Sequence, residues 1–177
     1  MGITVRSIKA SDADEVYKMR IEKGVYDTTL TIPFSKYEIS VEGTKSLAFD
    51  KDSVCIVAVD EKEDGSENIV GIYTLTVAQN FRIRHRGEVG ILVSSKYHGH
   101  GIGSILFKKI LDIADNWLML DRLELTFMDG NDHAEALYKK YGFVVEGRKK
   151  KAVIRNGELK DEIIMGRLRE DNLKIKD

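Results

Sequence analysis

The sequence predicts an α/β protein built on a mixed β-sheet, and three observations carry that expectation. Short β-favouring runs recur along the chain, two longer stretches repeat apolar residues at helical spacing, and Asn156-Gly157 stands between two apolar runs. The last is the strongest short-range hairpin signal a sequence offers. In order, residues 3–8 alternate apolar and polar side chains, as a short strand does. Ser11 followed by Asp14 marks a helix start, and Val16 and Met19 continue its spacing to Ile21. Residues 24–35, with Asp27, Thr28, Thr29 and Pro33, read as loop or short helix of the kind that lines sites. A helix follows over 36–49. Residues 54–59 and 69–77 pair as an antiparallel hairpin across a polar turn, and 88–94 is a third strand interrupted by Gly90. Ile102, Ile105, Leu106, Ile110, Ile113, Ala114 and Trp117 then repeat at helical spacing. Leu123, Leu125 and Phe127 alternate in a strand, and Ala134, Leu137, Tyr138 and Tyr141 share one face of a shorter helix.

Composition narrows the function. The chain has 177 residues, of which 42% are hydrophobic, enough for one domain. A chain of that size buries roughly 70% of the surface its unfolded form exposes. Lys and Arg number 28 against 29 Asp and Glu, a net charge of −1, so the basic excess that general nucleic-acid binding requires is missing. The single cysteine, Cys55, has no internal disulfide partner. The first residues form no apolar signal segment, Arg6 breaks the myristoylation pattern, and no apolar run reaches membrane-spanning length. The expectation is a soluble, cytoplasmic single domain over 1–168 with a frayed tail at 169–177. Neither nucleic acid nor membrane is expected as a partner.

The stretch with the most chemistry runs from Glu88 through Ile91-Leu92-Val93 into His98-Gly99-His100-Gly101-Ile102-Gly103-Ser104 and then the strongest helix. Glycines let backbone N–H groups approach a ligand, and a helix N-terminus offers unpaired donors and the positive end of its dipole, together a cradle for a pyrophosphate. The same glycines also serve tight turns. A nucleotide P-loop needs a lysine before Ser104, and a dinucleotide fingerprint needs glycine at that position; neither is present.

Further on, Asn131, Ala134, Leu137, Tyr138, Lys140, Gly142 and Phe143 read N-x-x-A-x-x-L-Y-x-K-x-G-F. With the H-x-x-G-x-G block before it, the chain resembles the GCN5-related N-acetyltransferase (GNAT) superfamily from Ile3 to Arg167. Asp115-Asn116-Trp117-Leu118, residues 121–126, residues 138–143 and Arg155-Asn156-Gly157-Glu158 are similar to its bacterial YhhY-type branch, described as L-amino-acid N-acetyltransferases. The resemblance implies an acyl-CoA N-acyltransferase fold, a mixed central sheet of about seven strands with helices on both faces. It implies acetyl-CoA as co-substrate, no metal, and a homodimer. The partner it implies is a small-molecule amine acceptor carrying a primary amine, first of all the α-amine of an L-amino acid. Peptide N-termini, polyamines and amine antibiotics stay open as acceptors, as does a non-catalytic acyl-CoA sensor.

The resemblance also implies roles. The backbone of Ile91, Leu92 and Val93 would pair with the pantetheine arm, with Gly90 marking a bulge that opens a slot and an N–H near Leu92 facing the oxyanion. His98, Gly99, His100, Gly101, Ile102, Gly103 and Ser104 would hold the pyrophosphate; His98 stands where the family usually places Arg or Gln. Tyr138 would be the general acid, since a phenol near pKa ~10 remains protonated at neutral pH. Without the motif it would read as a core tyrosine. Glu88 is the candidate base, through water, or else a surface residue paired with Arg86. Asn131 would bond the pantetheine or cap its helix, Ala134 would line the cofactor, and Lys140 would lie near the nucleotide. The four histidines come from separate elements and suggest no metal. Arg82, Arg84 and Arg86 would share one face of an extended segment, able to hold an acceptor carboxylate or simply solvated.

Overall fold

Strands β1 (Gly2–Ser7), β2 (Ser53–Glu61), β3 (Glu67–Val77), β4 (Arg86–Val93), β5 (Arg122–Met128), β6 (Val144–Arg155) and β7 (Glu158–Leu168) form one sheet in the computed structural model, which describes residues 2–169. Their order is β1-β2-β3-β4-β5-β7-β6, and every neighbouring pair is antiparallel except β4 with β5. Helices α1 (Ala13–Arg20), α2 (Lys23–Tyr26) and α3 (Tyr37–Leu47) belong to one side. Helices α4 (Ile102–Asp112) and α5 (Asp132–Lys140) belong to the other. The expected seven-stranded mixed sheet with helices on both faces is what the chain adopts.

Strand alternation sorts the core into two layers. Ile56, Ala58, Tyr73, Leu75, Val89, Leu125 and Phe127 face α4 and α5, whose Leu106, Phe107, Ile110 and Tyr138 pack on them. Cys55, Val57, Val59 and Ile72 face the opposite way, toward Val16, Met19 and Val25 of α1 and α2. Asn156 and Gly157 both adopt the left-handed backbone (φ 49° and 80°) that a two-residue hairpin demands, so β6 and β7 turn where the Asn-Gly pair predicts.

Three local expectations are corrected. Ser11 caps nothing; a single tight turn, closed by Lys9 N–H donating to Asp12 Oδ2 at 2.7 Å, precedes α1. The long helix ends in a wider turn, Leu118 N–H bonding Ile113 O at 2.9 Å, which swings Trp117 into solvent. The same turn sets Asp115 against the buried Arg167, in a two-bond pair of 2.8 and 2.7 Å. Arg169 is not frayed, since its N–H and guanidinium both bond Asp121, at 3.0 and 2.9 Å. The rest of the expected tail, 170–177, lies outside the described residues. Among these no helix is long and apolar enough to cross a membrane.

The feature that positions the site is where β4 and β5 part. They pair only at Arg86–Arg122, Gly87–Leu123 and Glu88–Glu124, then continue to Val93 and Met128 without pairing. No bulge at Gly90 causes this, because β3 and β4 stay in unbroken register from Val77–Gly87 to Gly71–Val93. Instead β5 follows β7, with which it pairs along its whole length.

Candidate active site

A cavity of about 650 Å³ passes through that parting and reaches both faces of the sheet. On the α4–α5 side its wall comprises Val89, Ile91 and Val93, the loop and first turn of α4, and Phe127, Asn131, Ala134, Leu137 and Tyr138. On the α1–α2 side it comprises Arg20, Thr28, Thr29, Leu30, Thr74, Gly90, Leu92, Thr126, Met128, Val153 and Glu162.

Backbone direction along β4 is set by its register. Ser94 N–H donates to Val70 O (2.9 Å) and Ala78 N–H to Arg86 O (3.1 Å), so the even-numbered residues between them exchange both their bonds with β3. Leu92 N–H is therefore committed to Ile72 and does not face the gap, contrary to expectation. The groups that do face it are those of Ile91 and Val93. The Val93 carbonyl accepts from His98 Nε2 at 3.0 Å, and the His98 carbonyl accepts from His100 Nδ1 at 2.9 Å. Both rings thus brace the loop. Gly99 (φ 78°) and Gly101 (φ 81°) hold backbone conformations that a side chain would strain. Gly101 precedes α4, whose N-terminus no side chain caps, leaving its first N–H groups for an anion.

Tyr138 is buried, and burial pushes its phenol up to about 12. Its ring sits among Phe107, Phe127 and Phe143, with centroids 5.5–6.3 Å away, and among the described residues its hydroxyl has no partner. A neutral O–H in a cavity wall with nothing to donate to is suited to giving a proton to a ligand. Asn131 caps α5, its Oδ1 accepting from Ala134 N–H at 3.3 Å, and so presents its NH₂ elsewhere. Ala134 lines the wall as expected. Lys140 bonds Ser104 Oγ at 3.3 Å, beside the loop but outside the cavity wall, and His100 is outside it too.

Glu88 lies on the same strand face as Gly90 and Leu92, toward α1, but it is exposed and is not in the wall. Arg86 bonds Glu124 instead of Glu88. The 82–86 stretch is not extended: Arg82 N–H and Ile83 N–H bond back to Asn80 at 3.0 and 2.9 Å. Arg84 covers the Phe81 ring, and none of the three arginines reaches the cavity. Cys55 is buried and its thiol is pushed up to about 12 by burial, so it stays neutral. The described residues contain no group of three or more His, Cys, Asp or Glu able to hold a metal.

The 24–35 loop lines the wall as expected, through Thr28, Thr29 and Leu30, but sequence reasoning missed Arg20, Glu22 and Glu162. The carboxylate of Glu22 accepts from Ser94 Oγ (2.9 and 3.0 Å), Ser95 N–H and Ser95 Oγ (both 2.7 Å), fastening the end of α1 to the exit of β4. Gly24 permits the approach, since a Cβ there would stand 2.6 Å from Ser95 Cβ. One signal was available for Arg20. It sits four residues after Val16, so a cation continues the apolar stripe of α1 at half-buried depth while Ile21 is exposed.

A sheet parted in its middle, an anion-binding loop at one end of the gap and an unpartnered phenol within it define an enzyme that transfers an acyl group from an extended, phosphate-bearing donor. Residues 20–143 match the acetyltransferase (GNAT) family, and the chain belongs to that family as an N-acetyltransferase. The L-amino acid N-acetyltransferase AaaT of Escherichia coli (strain K12) is 33% identical over 167 residues, 94% of this chain and 98% of the relative. An acetyltransferase of the GNAT family from Streptococcus pneumoniae has a TM-score of 0.76 at 27% identity, over 94% of this chain and 99% of that one. Spermidine N-acetyltransferase from Vibrio cholerae, in complex with CoA and spermine, gives 0.79 at 22% identity over 97% and 98%, a likeness of fold.

Proposed function

We propose that the enzyme transfers acetyl from acetyl-CoA directly to the α-amine of an L-amino acid. The observation that carries this reading is the single cavity running through the sheet, with the family's donor motifs on one face and a separate polar wall on the other. The donor fits the residues present: uncapped α4 N–H groups and the glycine loop for its pyrophosphate, and the main-chain groups of Ile91 with the Val93 N–H for its pantetheine arm. Either of their N–H groups can meet the oxyanion.

The acceptor approaches from the α1–α2 face. An ammonium has no lone pair, and desolvation in the gap favours the neutral amine. Its proton leaves toward Glu162, in the wall, or through water toward Glu88, two residues beyond Gly90. The neutral amine then adds to the thioester carbonyl, its nitrogen gives up a second proton to water, and Tyr138 donates its proton to the sulfur as the C–S bond breaks and regains one from solvent. A thiol near pKa ~8.5 is thereby formed by an acid that is protonated at any physiological pH. The relative described as an L-amino acid N-acetyltransferase supports the acceptor class over nearly the whole chain. A polyamine would call for an acidic acceptor wall; this one has one carboxylate, Glu162, and one guanidinium, Arg20. The proposal extends to a cytoplasmic homodimer on the family resemblance, and sedimentation tests the dimer.

The test is thiol release from acetyl-CoA across L-amino acids, dipeptides, spermidine and aminoglycosides. Free amino acids should give the highest kcat/KM. Turnover confined to spermidine, or CoA binding with no turnover on any amine, would refute the reading.

A further inference from the structure

Arg20 ends α1 with its side chain in the cavity wall and no partner for it. The other arginines with shielded side chains are accounted for differently. Arg6 holds Asp12 and Glu67, Arg86 and Arg122 share Glu124, Arg167 holds Asp115, and Arg169 holds Asp121. Arg155, near the β6–β7 turn, does not line the cavity. Arg20 makes no hydrogen bond or ion pair with the described residues, and its Nε is sealed from solvent. Burial accordingly lowers its pKa, with no carboxylate to offset the effect. The acids nearest in sequence are occupied, Glu22 by Ser94 and Ser95 and Asp27 by Lys23. Cys55, its titratable neighbour, remains a neutral thiol.

Arg20 is half-buried, and its sealed Nε–H is costly without an acceptor, because it loses water and gains nothing in return. A purely structural cation at a helix C-terminus would keep its head in solvent, where the helix dipole favours it at no such cost. Arg20 instead lines the acceptor side of the gap, in the same cavity wall as Thr74 and Glu162. We infer that Arg20 is the receptor for the acceptor's carboxylate, its planar fork binding both oxygens while the α-amine points into the gap toward the thioester. The inference rests on the proposed function and deepens it: the enzyme selects amines that carry a carboxylate, and it does so from α1, outside the donor motifs.

The experiment pairs each L-amino acid that the enzyme accepts with its α-amide, in the wild type and in Arg20→Gln and Arg20→Lys. Thiol release gives kcat and KM, and calorimetry in the presence of CoA gives affinity. Losing charge-assisted bonds to one carboxylate corresponds to a rise in KM for the acid of about 10–100-fold. The amide's KM should stay unchanged in Arg20→Gln, kcat should move little for either, and Arg20→Lys should recover part of the acid's affinity. The thermal midpoint of Arg20→Gln should equal or exceed that of the wild type, and amino acid should raise the midpoint of the wild type only. Parallel losses for acid and amide, or no change in either, would overturn the assignment while leaving amino-acid acetylation standing. Wild-type turnover on spermidine with none on any amino acid would overturn both.

Discussion

The two faces of the sheet are built on different principles. The donor face is made of backbone: two left-handed glycines, a helix N-terminus, and main-chain groups of β4 that the parting leaves unpaired. Its side chains mostly brace, as His98 and His100 do, while Tyr138 keeps an unpartnered hydroxyl in the wall. The acceptor face is made of side chains drawn from α1, the loop after α2, and β3, β5 and β7, held to the donor face by Glu22 and by the close approach at Gly24. Backbone recognition suits a ligand that a whole family shares, since it survives most substitutions. Side-chain recognition suits a ligand that differs from one relative to the next.

The sharpest way to break this contrast is at Tyr138. Tyr138→Phe should lower kcat by about 100–1,000-fold, the range of a lost general acid, with CoA affinity unchanged by calorimetry. Its thermal midpoint should hold or rise, because the hydroxyl removed has no partner to lose. Equal kcat in the variant would take the chemistry away from the donor face altogether.

A smaller effect separates the faces mechanically. Glu22→Ala leaves the Ser94 and Ser95 donors without their acceptor and should destabilise the fold by about 1.5–3 kcal/mol. Gly24→Ala forces α2 off Ser95 and should cost about 1–3 kcal/mol. Both should raise the acceptor KM several-fold and leave that of acetyl-CoA nearly alone. Steady-state kinetics with each substrate varied in turn decides this, and matched increases in both KM values would mean that the faces are not independent.

The mildest test is alkaline stability, which samples buried acids on both faces. Cys55 rises from 9.0 to about 12 and Tyr138 from 10.0 to about 12, both through burial. In each case the folded state keeps a proton that the unfolded chain has released, so stability is complete below the unfolded pKa and falls as pH climbs toward 12. The decline should begin near pH 9 through Cys55 and steepen above 10 through Tyr138. Cys55→Ala should remove the first part and Tyr138→Phe should reduce the second, which the buried Tyr73 phenol shares, read from denaturant midpoints between pH 8 and 11.

The same contrast explains what could be read from residues alone. The donor face was legible because its signals are local: the glycines, the helix that follows, and the Asn131 to Phe143 block each lie within one short segment. The parting of β4 from β5 is not local, since it depends on β5 keeping company with β7 some forty residues later. Gly90 was therefore credited with a bulge it does not make, and Leu92 with an amide that β3 uses. On the acceptor face, Arg20, Thr74 and Glu162 converge only through tertiary packing. The Arg82, Arg84 and Arg86 alternation looked extended, but the Asn80 turn folds it. Glu88 was expected beside the slot as the base; it lies on the strand face of Gly90 and Leu92 but outside the cavity wall, and period-two spacing does not separate the two.

Most sheets expose their unsatisfied ladder only at the rim; this one has a second rim in its interior, along the end of β4. The Ile91 and Val93 amides should trade hydrogen for deuterium with solvent far faster than Leu92 between them. Once a strand-like ligand lies alongside, they should slow while Leu92 stays as it was. Those two amides thus serve as built-in reporters of donor occupancy, readable without any acceptor present.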